Sequence, residues 1–189
     1  MKKYELLKDD TIEVAGKTLF RIKALISFKD IRKGEIGGYV EAERNLSQSG
    51  NAWVTGNAWV CDDAWVSGNA RVTGNARVSD NARVTGNARV SDNAWVSGNA
   101  CVTGNAWVCD DAWVSGNAWV ETSNDYIVFK NNWSSFRWFT YTKSNKMWRV
   151  GCFYGTGDEL IKEAYADSEE SGRKYELYVN LVKELYRDE

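Results

Sequence analysis

Seven tryptophans and four arginines recur at one position of a six-residue period: Trp53, Trp59, Trp65, Arg71, Arg77, Arg83, Arg89, Trp95, Trp107, Trp113 and Trp119, with Cys101 filling the remaining place in the series. Indole and guanidinium at fixed spacing suit recognition: stacking, cation–π contact, and interfaces where Trp and Arg carry much of the binding energy. They do not suit turnover. The chain has no His, which removes Ser-His-Asp triads, Cys-His pairs and histidine-ligated metals. Lysine, tyrosine and carboxylate chemistry stay open to it. Cys61, Cys101, Cys109 and Cys152 lie far apart and form no CxxC pair. They read as small buried or Ser-like residues rather than a disulfide framework or zinc site. No metal or cofactor is expected, and no catalytic residue is assigned.

The repeat itself must position these side chains. Twelve hexads run from Asn51 to Thr122, with Ala at every second place and Val at every fourth. In Ala-x-Val the outer two side chains share one side of a short strand and the middle one takes the other. Ala and Val therefore face inward, and the Trp/Arg position faces outward. Gly-Asn or Asp-Asn supplies the corner, where Gly, Asn and Asp tolerate positive φ. Three hexads close an 18-residue triangular coil of a parallel β-helix. The outward positions then stack into three rows: Trp53, Arg71, Arg89 and Trp107; Trp59, Arg77, Trp95 and Trp113; Trp65, Arg83, Cys101 and Trp119. Two readings of the rows stand side by side. They either hold one another by indole–guanidinium packing, or present apolar surface to a partner, most simply a second copy of the chain. A stacking platform for sugar or single-stranded nucleic acid is a third use, though a sugar groove would decorate one face rather than three. Bulky Trp and Arg also replace the flat Thr lattice of an ice-binding face.

The flanks read as separate modules. Residues 1–38 form an N-terminal β-hairpin cap, with Ile12 and Val14 on one arm, a turn at Ala15-Gly16-Lys17, and Phe20, Ile22, Ala24 and Ile26 on the other. Gly34 and Gly37-Gly38 break the chain after it. Residues 39–122 form the hexapeptide-repeat β-helix, in which 39–44 and 45–50 are degenerate hexads in the same frame, for four to five coils in all. Residues 123–189 form an α+β domain of three antiparallel strands (126–129, 136–141, 147–153) and two helices. Thr156 and Glu159 make a capping box for the first helix, which places Leu160, Ile161, Ala164 and Tyr165 on one face. The second, about Glu169 to Arg187, puts Tyr175, Tyr178, Val179, Val182 and Leu185 on an apolar stripe. Gly-Cys-Phe-Tyr-Gly-Thr-Gly at 151–157 lacks the Lys of a P-loop and reads as a structural turn. The open ends of a solenoid are association-prone, so both flanks are candidate covers.

Charge narrows the partners. The net charge is −2, from 24 basic and 26 acidic residues, and only the first 38 residues are mildly basic, a poor footprint for nucleic acid. No run of about 18 apolar residues could span a bilayer, and the N-terminal residues lack the apolar core of a signal peptide. The expectation is a cytoplasmic protein without membrane attachment.

The Ala-x-Val-x-Gly/Asp-Asn hexads resemble the hexapeptide class of left-handed parallel β-helix proteins. The segment Phe28-Lys29-Asp30-Ile31-Arg32-Lys33-Gly34-Glu35-Ile36-Gly37-Gly38-Tyr39-Val40 ahead of Asn45-Leu46-Ser47, and the tail Val150-Gly151-Cys152-Phe153-Tyr154-Gly155-Thr156-Gly157-Asp158-Glu159-Leu160 with its helix, resemble phage and prophage members of that class. The resemblance implies a left-handed coil and a non-enzymatic phage-type scaffold acting by protein–protein interaction and self-association, with a host or virion protein as partner in the host cytoplasm. It also permits an antagonist of host defence that binds a host protein, a nucleic-acid site or a small signalling nucleotide. Many hexapeptide β-helix proteins are acyltransferases. Those use a His base and a loop thrown out of the coils, and this chain has neither across residues 51–120.

Overall fold

The structure, a computed structural model, describes residues 1–187. Three strands open the chain, β1 (Tyr4–Val14), β2 (Lys17–Ala24) and β3 (Ile36–Val40), followed by twelve two-residue strands, β4 to β15, at the third and fourth places of successive hexads from Trp53–Val54 to Trp119–Val120. Residues 18 apart pair in parallel, Trp53 on Arg71 and Val54 on Val72, then Arg71 on Arg89 and Val72 on Val90. Each coil donates its N–H groups to carbonyls of the next, as Arg71 does to Ala88 and Thr73 to Val90, both at 2.9 Å. The result is a solenoid with three parallel sheet faces. Every hexad Ala and Val is buried in its axis, each Val contributing roughly 1.5–3 kcal/mol of apolar burial.

The corners divide the work differently from the expectation. Positive φ falls on the sixth residue, Gly or one of Asp62, Asp80, Asp92 and Asp110, all near +60°, and not on the following Asn. Asn instead builds amide ladders along each edge: Asn51 to Asn69 at 2.8 Å, Asn69 to Asn87 at 2.9 Å and Asn87 to Asn105 at 3.1 Å. Asp at a corner has its own use, since Asp80 Oδ2 accepts from the Gly98 N–H at 2.9 Å, one coil on.

A partial fifth coil precedes the hexads, two residues out of the expected frame. Tyr39 and Val40 lie over Trp59 and Val60, and Leu46 over Val66, an offset of 20 rather than 18. The extra length sits before Asn51 and admits the N-terminus, where Gln48 Oε1 accepts from Lys3 N–H at 2.8 Å. Gly37 and Gly38 do not break the chain; they lie within β3, pressed on the first coil. A Cβ on Gly38 would stand 2.5 Å from Ala58 O, and one on Gly37 2.6 Å from Val54 O. The hairpin is longer than expected, with Lys17 inside β2, Ile26 outside it, and the turn made by Ala15 and Gly16, both at positive φ. Through β3 the hairpin continues one solenoid face as a seven-stranded sheet.

The C-terminal module has four antiparallel strands, β16 (Tyr126–Lys130), β17 (Trp138–Thr142), β18 (Met147–Val150) and β19 (Phe153–Gly155), then α1 (Gly157–Asp167) and α2 (Glu169–Leu185). The expected third strand is two, because Gly151 turns the chain at φ +57°. Phe136 lies outside β17, exposed. Thr156 caps α1, its Oγ1 accepting from Glu159 N–H while Glu159 Oε2 accepts from Thr156 N–H at 2.8 Å. Phe139, Tyr141, Trp148, Leu160, Ala164, Tyr175, Val179 and Val182 form the core. Tyr165 and Leu185 are exposed rather than buried; Tyr165 lies against Gly172 of α2 and hydrogen-bonds Glu176 at 2.7 Å. Among the described residues no helix is long and apolar enough to cross a membrane.

Both ends of the solenoid are closed by hydrogen bonds of opposite sense. Carbonyls point from the first full coil, and they accept from Tyr39 N–H, Glu41 N–H, Ser47 N–H, Asn45 Nδ2 and the buried Lys3 Nζ. N–H groups point from the last coil, and hydroxyls accept them: Trp107 to Ser123 Oγ at 3.2 Å, Trp113 to Thr140 Oγ1 at 2.9 Å, and Trp119 to Ser144 Oγ at 2.7 Å.

Candidate functional site

The outward positions lie in three rows, but the flanks treat the rows unequally. In the first row Trp53 is fully buried, contrary to its expected outward display. Tyr4 and Phe28 of the N-terminal module pack edge-on against it at 6.2 and 5.5 Å. Its indole N–H has no acceptor among the described residues. Arg71 is half-buried and ion-paired to Asp30; burial, then neighbouring Arg89, hold its pKa below the ordinary value. Arg89 and Trp107 stand exposed.

The second row is continuous and capped at both ends. Arg21 lies 4.1 Å over Tyr39, which is paired with Trp59. Arg77 sits between Trp59 and Trp95 at 5.9 and 5.8 Å, Trp95 stacks on Trp113 at 4.3 Å and 7°, and Arg149 covers Trp113 at 3.6 Å. Alternation of cation and ring puts a favourable quadrupole contact at most steps.

The third row, Trp65, Arg83, Cys101 and Trp119, has among the described residues none of the ring or cation–π contacts that tie the other two to the flanks. Its two tryptophans are 42% and 53% exposed, against 49% for Trp107. Burial pushes the Cys101 thiol up.

Several anchors of these rows lie outside the third-place series. Trp95, Trp107 and Trp113 each donate an indole N–H to the fifth-place serine sixteen residues back, Ser79, Ser91 and Ser97, at 2.9–3.0 Å. That spacing is present in the sequence as a Ser ahead of each such Trp. Arg21 and Arg149 carry no sequence signal, because they reach the row from separate modules. The rings are thus fixed in orientation and held as rigid plates.

Two groups combine thiol and carboxylate. Glu41, Cys61 and Asp62 converge, but Lys17 is ion-paired with both carboxylates, so an ammonium already stands where a cation would. The Cys61 thiol donates to Asp62 at 2.8 Å and is pushed up to about 11, chiefly by burial. Asp92, Cys109 and Asp110 form the other, where burial raises the thiol first and the bond to Asp110 adds to it. A protonated thiol is a poor metal ligand and nucleophile.

A chain whose surface is set by stacked parallel coils around an Ala–Val axis is a β-solenoid repeat protein. Consistent with that class, a sequence model of the YdcK beta solenoid repeat matches residues 64–78, 76–92 and 94–110, all within the hexads. No curated protein matches the chain.

Proposed function

We propose that this protein is a non-enzymatic β-solenoid scaffold that works by protein–protein contact, and that it self-associates through the third row. The carrying observation is the difference between rows. The flanks cover Trp53 and cap the second row at both ends, leaving Trp107 the exposed ring of the first row, while both third-row tryptophans, Trp65 and Trp119, remain exposed on one face with Arg83 and Cys101 between them. Trp119 is held by the bond from its indole N–H to Glu121 at 2.8 Å, and Trp and Arg are the residue types enriched at interface centres. A flat face self-complementary about a two-fold axis is the simplest closed assembly. The absence of His from the sequence and the uninterrupted hexads support the non-enzymatic reading. In keeping with the phage resemblance of both flanks, we place the protein in the host cytoplasm, where a host or virion protein is the further partner.

Light scattering across a concentration series tests this. The expected result is a dimer or higher species that Trp65→Ser with Trp119→Ser converts to monomer, with no change in circular dichroism. A wild-type chain that is monomeric at every concentration overturns self-association.

A further inference from the structure

A cavity of about 470 Å3 opens in the C-terminal module, beside the Ser144 that caps the last coil. Three rings line it, Tyr141, Trp148 and Tyr186, together with three lysines, Lys143, Lys146 and Lys183. Its size falls in the range of small-molecule sites, roughly 300–1,000 Å3. The rings are preorganised: Tyr141 stacks on Tyr186 at 6.0 Å and 24°, and packs against Trp148 at 5.1 Å.

Trp148 is only 2% exposed, and the neighbouring Gly157 leaves space beside its indole nitrogen, since a Cβ there would stand 3.2 Å from it. Ser144 accepts from Trp119 N–H with its oxygen, which leaves its own proton for a ligand.

The cations are all lysine. Ammonium groups on flexible stems gather as point charges around a tetrahedral anion, whereas planar carboxylate recognition favours the Arg fork. Lys183 pairs with Asp158 at 2.9 Å, both side chains being well exposed; an exposed pair of this kind is weakly held and exchanges readily for a stronger anion. Lys143 lies 4.9 Å over the Tyr186 ring, so charge and ring face occur side by side.

We infer that this cavity binds an aromatic phosphate of mononucleotide size, its ring against Tyr141, Trp148 and Tyr186 and its phosphate at Lys146 and Lys183. The cavity meets the base through apolar ring surface and not through hydrogen bonds to its edge, so the site reads the class of ligand more than the identity of the base. This assignment stands independently of the scaffold reading.

Isothermal titration calorimetry on the full chain tests it, with AMP, GMP, CMP and UMP as probes, and adenosine, inorganic phosphate and benzoate as controls. At least one nucleotide should bind with Kd between about 1 μM and 1 mM, at least about tenfold tighter than adenosine, phosphate or benzoate, and more weakly as salt is raised. Lys146→Gln with Lys183→Gln, both at exposed positions, should weaken it about tenfold or more while the thermal transition stays in place. The proposal is overturned by no heat from any nucleotide up to about 10 mM, by equal binding in the double variant, or by benzoate binding as tightly as the nucleotide.

Discussion

The hydroxyl cap on the last coil leads to a differential prediction. Thr140→Val keeps shape and volume but removes the oxygen that accepts Trp113 N–H at 2.9 Å. Thr140 is 1% exposed, and Trp113 is covered by Arg149, so water has little access to replace the lost acceptor. An unpaired buried N–H costs about 1–3 kcal/mol. The neighbouring caps sit in solvent: the bonds from Trp107 to Ser123 and from Trp119 to Ser144 are exposed. There water takes the place of the hydroxyl, and Ser123→Ala or Ser144→Ala should each cost no more than about 0.5 kcal/mol. Equilibrium urea unfolding, followed by tryptophan fluorescence and circular dichroism together, measures all three. Thr140→Val should lower the midpoint by the equivalent of about 2 kcal/mol at unchanged slope, and loosen the C-terminal module from the last coil. A Thr140→Val cost below about 0.5 kcal/mol, or a Ser144→Ala cost equal to it, refutes the reasoning that burial decides which cap matters.

Further predictions follow from the axis, the N-terminal contact and the titrating groups. Val84→Ala, in the middle of the axis and fully buried, should cost about 2–3 kcal/mol in the same unfolding assay, because stacked neighbours on both sides hinder collapse into the hole. Gly38→Ala should detach the N-terminal module, since its Cβ would meet backbone oxygen at 2.5 Å; limited proteolysis should then cut within residues 1–36, and an uncut chain would count against it. Thiol labelling at pH 8 should modify exposed Cys152 well before buried Cys61. Cys61 is pushed up to about 11 from 9.0, so the folded chain holds its proton longer than the unfolded chain, and that contribution to stability is lost as pH rises from about 9 to 11; Cys61→Ser should remove the loss. Lys3 behaves oppositely: burial, then Arg71, lower it to about 8 from 10.5, the unfolded chain binds the extra proton, and stability rises between about pH 8 and 10.5. A Lys3→Met variant that keeps this rise would refute that assignment.

The hexads alone determined the coil, its Ala–Val axis and the three rows, because strand alternation and an 18-residue period leave one way to bury every second and fourth residue. The capping box at Thr156 and Glu159 was equally local, and so was legible. The sequence could not show that the first partial coil is out of frame by two residues, since that shift serves a contact between Gln48 and the N-terminus 45 residues away. Nor could it show which tryptophans are available. All seven occupy the same place in the repeat, yet Tyr4 and Phe28 enclose Trp53, Arg149 covers Trp113, and Trp65 and Trp119 stay exposed. The inward or outward direction of a side chain is a property of its own strand. Its burial is decided by whatever distant segment folds back over it, and here that is set only when the two flanking modules dock on the ends of the solenoid.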